Sequence, residues 1–522
     1  MDTDSAHCAF PDMQNEQGRA LKILSLVFLV FAVFGLVIRL INIGNPLNSW
    51  DGLDEMNYAL IARSLMSGEL PYHGAFDHKP IALYYIFSLF FWVFGYTLTA
   101  LRIMPLVAIS LTSALLYLIA RRRLPARQHF AALCAIMFMA MCTSFGNGGQ
   151  ASNTEILQLP ILAGWWLAAV NVPASSWRRP LLLGALAGLA AQVNYLGGFV
   201  LALSTVLMLA WPLVTSFSQM TLRSFATNGI IALGAFVVVV LLMLAPLIVA
   251  GDLPEYFNMQ RGFLSVYQGV AKNDKLVRAV FSVAFSAGFF VALLGCIVWC
   301  EKSWRGINAA SPLPLAQLAA VFALTLFAIV LTGRLYPHYF NLLVVPSTLI
   351  LLSLLSLSGA RALRGFAFLS GILAALLVAR GAWDVYLKDW NDHFRQRHEI
   401  GQLTAEIRSR AQPGERVLLL DLNHVLYFLA DVVPATRFVF RGQIFADRFL
   451  SAIGSSPAQE IVKALEREPV FVMVCFDDNA AAYRALLKER LAGRYREYIL
   501  AGYEECHDLT AYSLIAKNAS QP

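Results

Sequence analysis

The chain has 522 residues, of which 58% are hydrophobic and 14% charged, against roughly 25% charge in an ordinary soluble domain. So few charges cannot cover a water-soluble surface, and a mean hydropathy of +0.61 places most of that surface in lipid. The formal net charge of +7 would suggest nucleic acid only if the basic residues clustered on a soluble face. They lie in short loops between apolar runs, so they read as topology signals and no nucleic acid partner is expected.

Residues 1–20 are polar and read as a cytoplasmic tail. Arg19 and Lys22 precede an apolar run from Ile23 to Ile43, broken by Arg39, without the short core and cleavage site of a signal peptide. It is expected to be a retained first span. Further apolar runs lie near 80–96, 101–120, 129–144, 155–171, 181–193, 196–213, 229–250, 279–299, 315–332, 339–357 and 366–382.

Counting all of these as spans would put Arg121, Arg122, Arg123 and Arg127 outside, against the positive-inside tendency. The 80–96 run begins at Lys79-Pro80 and sits at the short limit for a hydrocarbon core of roughly 30 Å. Treating it as an interfacial or re-entrant helix returns Arg121–Arg127, Arg178, Arg179, Arg223, Lys302, Arg305, Arg361 and Arg364 to the cytoplasmic side. About 11 spans then remain in residues 21–382, with a first external loop over 44–100 and an external C-terminal segment. Nearly all the acids of the membrane part fall in the external loops, so its chemistry is expected there.

From 385 to 522 the composition is that of a soluble α/β domain. Strands are expected at Val417–Leu420, Phe438–Phe440, Val470–Cys475, Tyr498–Ala501 and Ala511–Ile515, with helices at Ala458–Glu468 and Ala480–Leu491. The layering is expected to be Rossmann-like. No glycine-rich phosphate fingerprint follows the first strand, so no nucleotide cofactor is expected. Of seven cysteines, only Cys475 and Cys506 lie in a polar region where a disulfide is conceivable.

The first external loop, Trp50 to Pro80, is too long and polar for a mere connection. Asp54 and Glu55 open a helix expected to run to about Ser67; acids there also suit the helix dipole without any further role. Glu155 follows a second external loop behind Thr154, a capping residue type, and has the same simple reading. Polar groups at the edges of lipid-embedded helices are nonetheless costly unless they serve a function. The complementary cations are Lys79 and, in the loop TGRLYPHYF, Arg334 and His338 beside Tyr339. With the helix start at Pro337 they could hold a phosphate, though a snorkelling arginine and an interfacial histidine explain them as well. The aromatic run Leu83–Phe94 reads equally as interfacial anchor or prenyl-chain groove, and the loop Pro254–Lys275 as site cover or connector.

The pattern Asp54-Glu55 with Tyr58, Ala62-Arg63 and Gly68, then Lys79-Pro80 and an aromatic run, resembles the first external loop of the GT-C membrane glycosyltransferases. Within them it resembles the protein O-mannosyltransferase and lipid A aminoarabinose transferase branch. The resemblance implies a mainly α, polytopic helix bundle of GT-C type with a C-terminal extracytoplasmic α/β domain. It implies transfer of one sugar, with inversion, from an undecaprenyl- or other polyprenyl-phosphate donor to an external glycan, lipid or protein in the bacterial inner membrane. Asp54, Glu55 and Glu155 would be catalytic, with Tyr58, Lys79, Arg334, His338 and Tyr339 binding substrate. A divalent metal is an open expectation, with Asp77 and His78 as candidate ligands. Two positions depart from the family pattern: His78 stands where a Glu is frequent, and Asn194 where many relatives carry Lys. A lipid-carrier flippase or transporter without covalent transfer is the alternative. No charged residue deep in a span and no evident internal repeat points to it.

Overall fold

The computed structural model describes residues 51–123, 154–215, 218–267, 313–332, 336–357, 390–500 and 506–515, with a few isolated positions between 19 and 33. The apolar runs at 23–43, 129–144, 279–299 and 366–382, and Arg334, lie outside the described residues. Two compact units form: one from Met1–Asn45, Leu98–Met243 and Ala271–Lys388, the other from Pro46–Thr97, Leu244–Val270 and Asp389–Pro522.

The first unit is helical. Helix Leu98–Arg123 packs on Thr154–Asn171, which packs on Arg178–Val193, and the last of these packs on Tyr195–Thr215. Helix Leu315–Leu331 lies against Tyr195–Thr215 and against Val344–Leu357. Among the described residues four helical stretches are long and apolar enough to cross a membrane: Leu98–Arg123, Tyr195–Val214, Thr221–Ala250 and His338–Ser356. The protein is membrane-embedded. In Thr221–Ala250, Ile230, Leu233 and Leu242 are largely exposed, and an exposed face of this composition is stable only against lipid. In His338–Ser356 every residue after His338 is buried.

Close helix contact in lipid depends on small residues. Gly184 and Gly188, four apart, provide it here: a Cβ on Gly184 would lie 2.0 Å from the Ala232 carbonyl oxygen, and one on Gly188 2.8 Å from that of Phe236.

Helix Ile81–Phe94 has 14 residues, a length of about 21 Å. It is too short to cross the hydrocarbon core as a straight helix, as the charge distribution led us to expect. Its start is one residue beyond Pro80, which is the N-cap.

The second unit combines the first loop, helix Leu253–Tyr267 and the C-terminal segment. Its sheet has β1 Arg416–Leu420, β2 Val433–Pro434, β3 Phe471–Cys475, β4 Tyr495–Ile499 and β5 Leu509–Leu514, in the order β2-β1-β3-β5-β4. The first three are parallel, and β5 runs antiparallel to β3 and β4. The layering therefore follows the Rossmann-like expectation only in its parallel half. Strand β3 is apolar and buried throughout, and β1 is so after its first residue, Arg416, as suits central strands covered on both faces. Edge strand β4 exposes Arg496 and Glu497, charges that discourage further pairing.

Phe438–Phe440, expected to form a strand, does not. The short strand is Val433–Pro434, and Phe438 instead packs on Phe76 and Phe449 at 6.0 and 5.8 Å. The run is apolar because it meets the first loop, a demand that periodicity cannot distinguish from a buried strand. The helix expected over Ala480–Leu491 begins as a 3-10 turn, Asn479–Tyr483, and is α-helical only over Arg484–Leu491. The strand expected at Tyr498–Ala501 starts three residues earlier, at Tyr495.

Cys475 and Cys506 form a disulfide. It joins the end of β3 to the residue that leads into β5.

Candidate active site

In the second unit the expected helix spans Asp51–Met66. Ser67 and Gly68 close its end by donating to the Arg63 and Leu65 carbonyls, and Gly68 takes a left-handed φ of 85°. The two adjacent carboxylates occupy different environments: Glu55 is 0% exposed, whereas Asp54 is half-buried. Tyr58 is buried, its ring edge-on to Phe87 at 5.6 Å and 6.4 Å from Tyr84. It ties this helix to Ile81–Phe94.

Contacts to the C-terminal segment hold the loop after the helix. Arg63 pairs with Asp431 at 2.5 Å, Arg416 with Glu69 at 2.8 Å, and the Phe76 amide donates to the Arg437 carbonyl at 2.7 Å. Arg437 also holds Glu255 and Glu460, at 2.8 and 3.2 Å. Phe76 stacks on Phe449 at 5.3 Å, so the loop is part of this unit's core.

Asp77, His78 and Lys79 form a hydrogen-bonded row. His78 Nδ1 lies 2.9 Å from Asp77 Oδ1, and Lys79 Nζ lies 3.1 Å from His78 Nε2. An ammonium only donates, so Nε2 accepts from Lys79 and Nδ1 carries the proton toward Asp77. Burial alone would push the Asp77 carboxyl up. The charge and hydrogen bond of His78, with the charge of Lys79, outweigh it and hold the carboxyl at about 2. The imidazole stacks on Phe263 at 4.2 Å. Tyr72 and Tyr84 both donate to the Lys79 carbonyl, at 3.3 and 3.1 Å, and burial keeps the Tyr72 phenol well above its usual range and hence protonated. Helix Leu253–Tyr267, an open question from sequence, thus supplies the ring that fixes His78.

The row does not suit a metal ion, because both ring nitrogens of His78 are engaged and one faces an ammonium. Among the described residues, the one group of three or more donors close enough to share an ion is Cys475, Asp477 and Cys506. Its two thiols are joined in the disulfide.

In the first unit Glu155 stands in the first turn of Thr154–Asn171 and is 1% exposed. Asn194 Nδ2 donates to Glu155 Oε1 at 2.7 Å and to Thr154 Oγ1 at 2.6 Å. Asn194 Oδ1 accepts from the Leu196 amide at 2.8 Å, capping the following helix. Gln158 reinforces this corner by donating to the carbonyls of Ala190 and Asn194 at 2.8 and 3.1 Å. The departure noted at Asn194 is therefore the partner of the predicted acid, and a neutral amide takes the place of an ammonium. Gln158 carried no sequence signal.

Pro337–Leu343 is a 3-10 helix rather than the start of an α-helix, which begins at Val344. It packs on Thr154–Asn171. His338 stacks with Tyr336 at 5.4 Å and meets the Tyr339 ring edge-on at 4.8 Å. Tyr339 packs in a cluster with Ile329, Phe340 and Leu343, against Leu196. Leu196 is the residue whose amide Asn194 caps, so Tyr339 and Glu155 belong to one neighbourhood.

Replacing Asn194 by Ala is expected to leave the buried Glu155 short of a donor, costing about 1–3 kcal/mol. The measurement is the denaturation midpoint of the full-length protein in detergent. Asn194→Asp, of the same shape but like-charged beside Glu155, is expected to be worse than Ala. An Asp variant as stable as wild type would refute the pairing.

A bundle of apolar helices, and a unit built from the first loop and a small sheet, have a counterpart among solved structures. In particular, the fold is that of ArnT. The crystal structure of ArnT from Cupriavidus metallidurans bound to undecaprenyl phosphate matches with a TM-score of 0.57 and 14% identity, over 94% of this chain and 99% of that one. Its apo state matches with a TM-score of 0.56 and 16% identity, over 94% and 98%. Residues 78–250 match the family described as Dolichyl-phosphate-mannose-protein mannosyltransferase. Over 170 residues the chain is 31% identical to the undecaprenyl phosphate-alpha-4-amino-4-deoxy-L-arabinose arabinosyl transferase of Erwinia tasmaniensis, a match covering 30% of each. Over 222 residues it is 26% identical to the Yersinia pestis protein of that name, covering 41% of this chain and 39% of the relative. The chain thus spans less than half the length of these curated relatives.

Proposed function

We propose that this protein is an inverting glycosyltransferase that moves one sugar from a polyprenyl-phosphate carrier to an acceptor on the external face of the bacterial inner membrane. The observation that carries this reading is the full-length fold match to a protein solved with undecaprenyl phosphate. The relatives' names make undecaprenyl-phosphate-linked 4-amino-4-deoxy-L-arabinose the first donor to test.

The leaving group is a lipid phosphate, already a competent anion, so it needs positive charge more than a general acid. Lys79 of the second unit is assigned to it; for Arg334, His338 and Tyr339 of the first unit a phosphate role is what the sequence resemblance implies. The acceptor hydroxyl must lose its proton as the new bond forms, the task of a positioned carboxylate. Asp54 is the better base of the adjacent pair because it is partly exposed, while Glu55 is fully buried. Glu155, held by Asn194, is the acid of the first unit. No step is assigned to a metal, since Asp77 and His78 serve to hold Lys79. A glycosidase, whose leaving group is a poor alkoxide, would need a paired acid and base.

Two features support the orientation. Arg123 bonds Asn171 at 3.2 Å, so Arg121–Arg123 lie at the end of Thr154–Asn171 opposite Glu155. The positive-inside tendency makes that end cytoplasmic and the Glu155 end external. The disulfide fits an oxidising compartment for the C-terminal segment.

The test is to supply the purified protein, in lipid nanodiscs, with labelled lipid-linked sugar and an outer-surface glycolipid extract. The expected result is a new glycosidic bond and free polyprenyl phosphate. Movement of intact lipid-linked sugar across a vesicle bilayer, with no bond exchanged, would overturn the reading in favour of a flippase.

A further inference from the structure

The first unit holds a second polar feature, at the opposite end of Thr154–Asn171 from Glu155 and so about 24 Å along the helix from it. A cleft of about 710 Å³ opens there, lined by Arg123, Asn171, Arg179, Trp211 and Gln317 among others. The size is within the range of ligand pockets, about 300–1,000 Å³.

Its chemistry is one-sided. None of the described residues lining it is acidic. Several arginines of the second unit have carboxylate partners, among them Arg63 with Asp431, Arg416 with Glu69, Arg437 with Glu255 and Arg494 with Glu468. Arg123 and Arg179 have none within 4.0 Å among the described residues, and the one polar side-chain partner of Arg123 is the Asn171 amide oxygen. Arg179 Nε and Asn171 Nδ2 are buried N–H donors without a hydrogen-bond partner among the described residues. Two guanidinium groups in a recess with no acid among its described lining residues call for an anion, and their planar forks match the oxygens of a phosphate.

The surroundings indicate where that phosphate comes from. Trp211 forms part of the wall, and nearby in the chain Trp177 is 59% exposed, with the Arg178 guanidinium 5.9 Å above its ring. Tryptophan and arginine together at the ends of apolar helices mark headgroup depth. We propose that this cleft binds the phosphodiester headgroup of an anionic phospholipid in the leaflet opposite the transfer site. The site goes beyond the transfer reaction and rests on the proposed orientation only for which leaflet it faces.

The test is native mass spectrometry of the delipidated full-length protein, titrated with phosphatidylglycerol, phosphatidylcholine or inorganic phosphate. Wild type is expected to take up one phosphatidylglycerol about 10- to 30-fold more tightly than either alternative. The double variant Arg123→Gln/Arg179→Gln is expected to lose that preference, and Arg223→Gln, an exposed cation outside the cleft, to keep it. Asn171→Asp retains both arginines but places a carboxylate among them, and is expected to weaken binding in the same direction should the double variant fold poorly. An unchanged preference in the monodisperse Asn171→Asp protein, or equal uptake of phosphatidylcholine, overturns the proposal. Inorganic phosphate binding as tightly as the lipid overturns its assignment to a headgroup.

Discussion

Asp54→Asn is expected to lower turnover from a lipid-linked sugar by about 10²–10⁴-fold, the usual contribution of a positioned base. Donor affinity should stay within about threefold, because the substitution keeps the side-chain volume and leaves Lys79 in place. Exposure separates the two adjacent carboxylates. Glu55 is 0% exposed at the start of the Asp51–Met66 helix and cannot meet an acceptor hydroxyl without unpacking the helix from its neighbours. Glu55→Gln is therefore expected to act mainly on stability, with a smaller loss of turnover. Initial rates on purified protein, with size-exclusion profiles as a control for folding, measure both. Near wild-type turnover in well-folded Asp54→Asn protein would sink the base assignment, and equal losses in both variants would make the pair act as one unit.

Removing the Cys475–Cys506 disulfide is the second large expected effect. The bond spans 31 residues and encloses the 3-10 turn, the Arg484–Leu491 helix and β4. In the chain-entropy account a loop of that length contributes about 3–4 kcal/mol by restricting the unfolded chain. Cys475→Ser/Cys506→Ser is expected to shift the denaturation midpoint of the C-terminal segment downward by the equivalent of that free energy and to raise its sensitivity to protease. The same shift should follow treatment of wild type with reductant and be absent in the double variant. If reductant moves both proteins equally, the bond is not what stabilises the segment. The loop after Asp51–Met66 packs in the same unit, with Phe76 stacked on Phe449 and bonded to Arg437. Loosening the sheet is therefore expected to reduce transfer as well as stability.

Much of the candidate site was legible in the sequence because its chemistry is carried by local patterns. Acids at a helix start, a lysine before a helix-opening proline and a basic Pro-His-Tyr element each occupy a few consecutive positions. The short Ile81–Phe94 helix was readable from length and from the placement of arginines alone. Asn194 was visible only as a departure, since nothing local marks it as the donor to an acid 39 positions earlier. The same holds for Phe263 beneath His78 and for Phe438, whose apolar run resembled a strand because its partner lay in another loop.

By itself the sequence determined that this is a membrane protein, which end of each helix carries positive charge, and where the carboxylates and cations lie along the chain. These follow from composition and spacing, which act through solvation and need no knowledge of neighbours. Only the tertiary structure decided that the first loop folds with the C-terminal sheet, that Glu55 is buried while Asp54 is not, and that Asp77 and His78 position Lys79. Those outcomes depend on which distant side chains share a buried space, where each unpaired polar group carries a desolvation penalty. Pairing across hundreds of residues leaves no periodic trace.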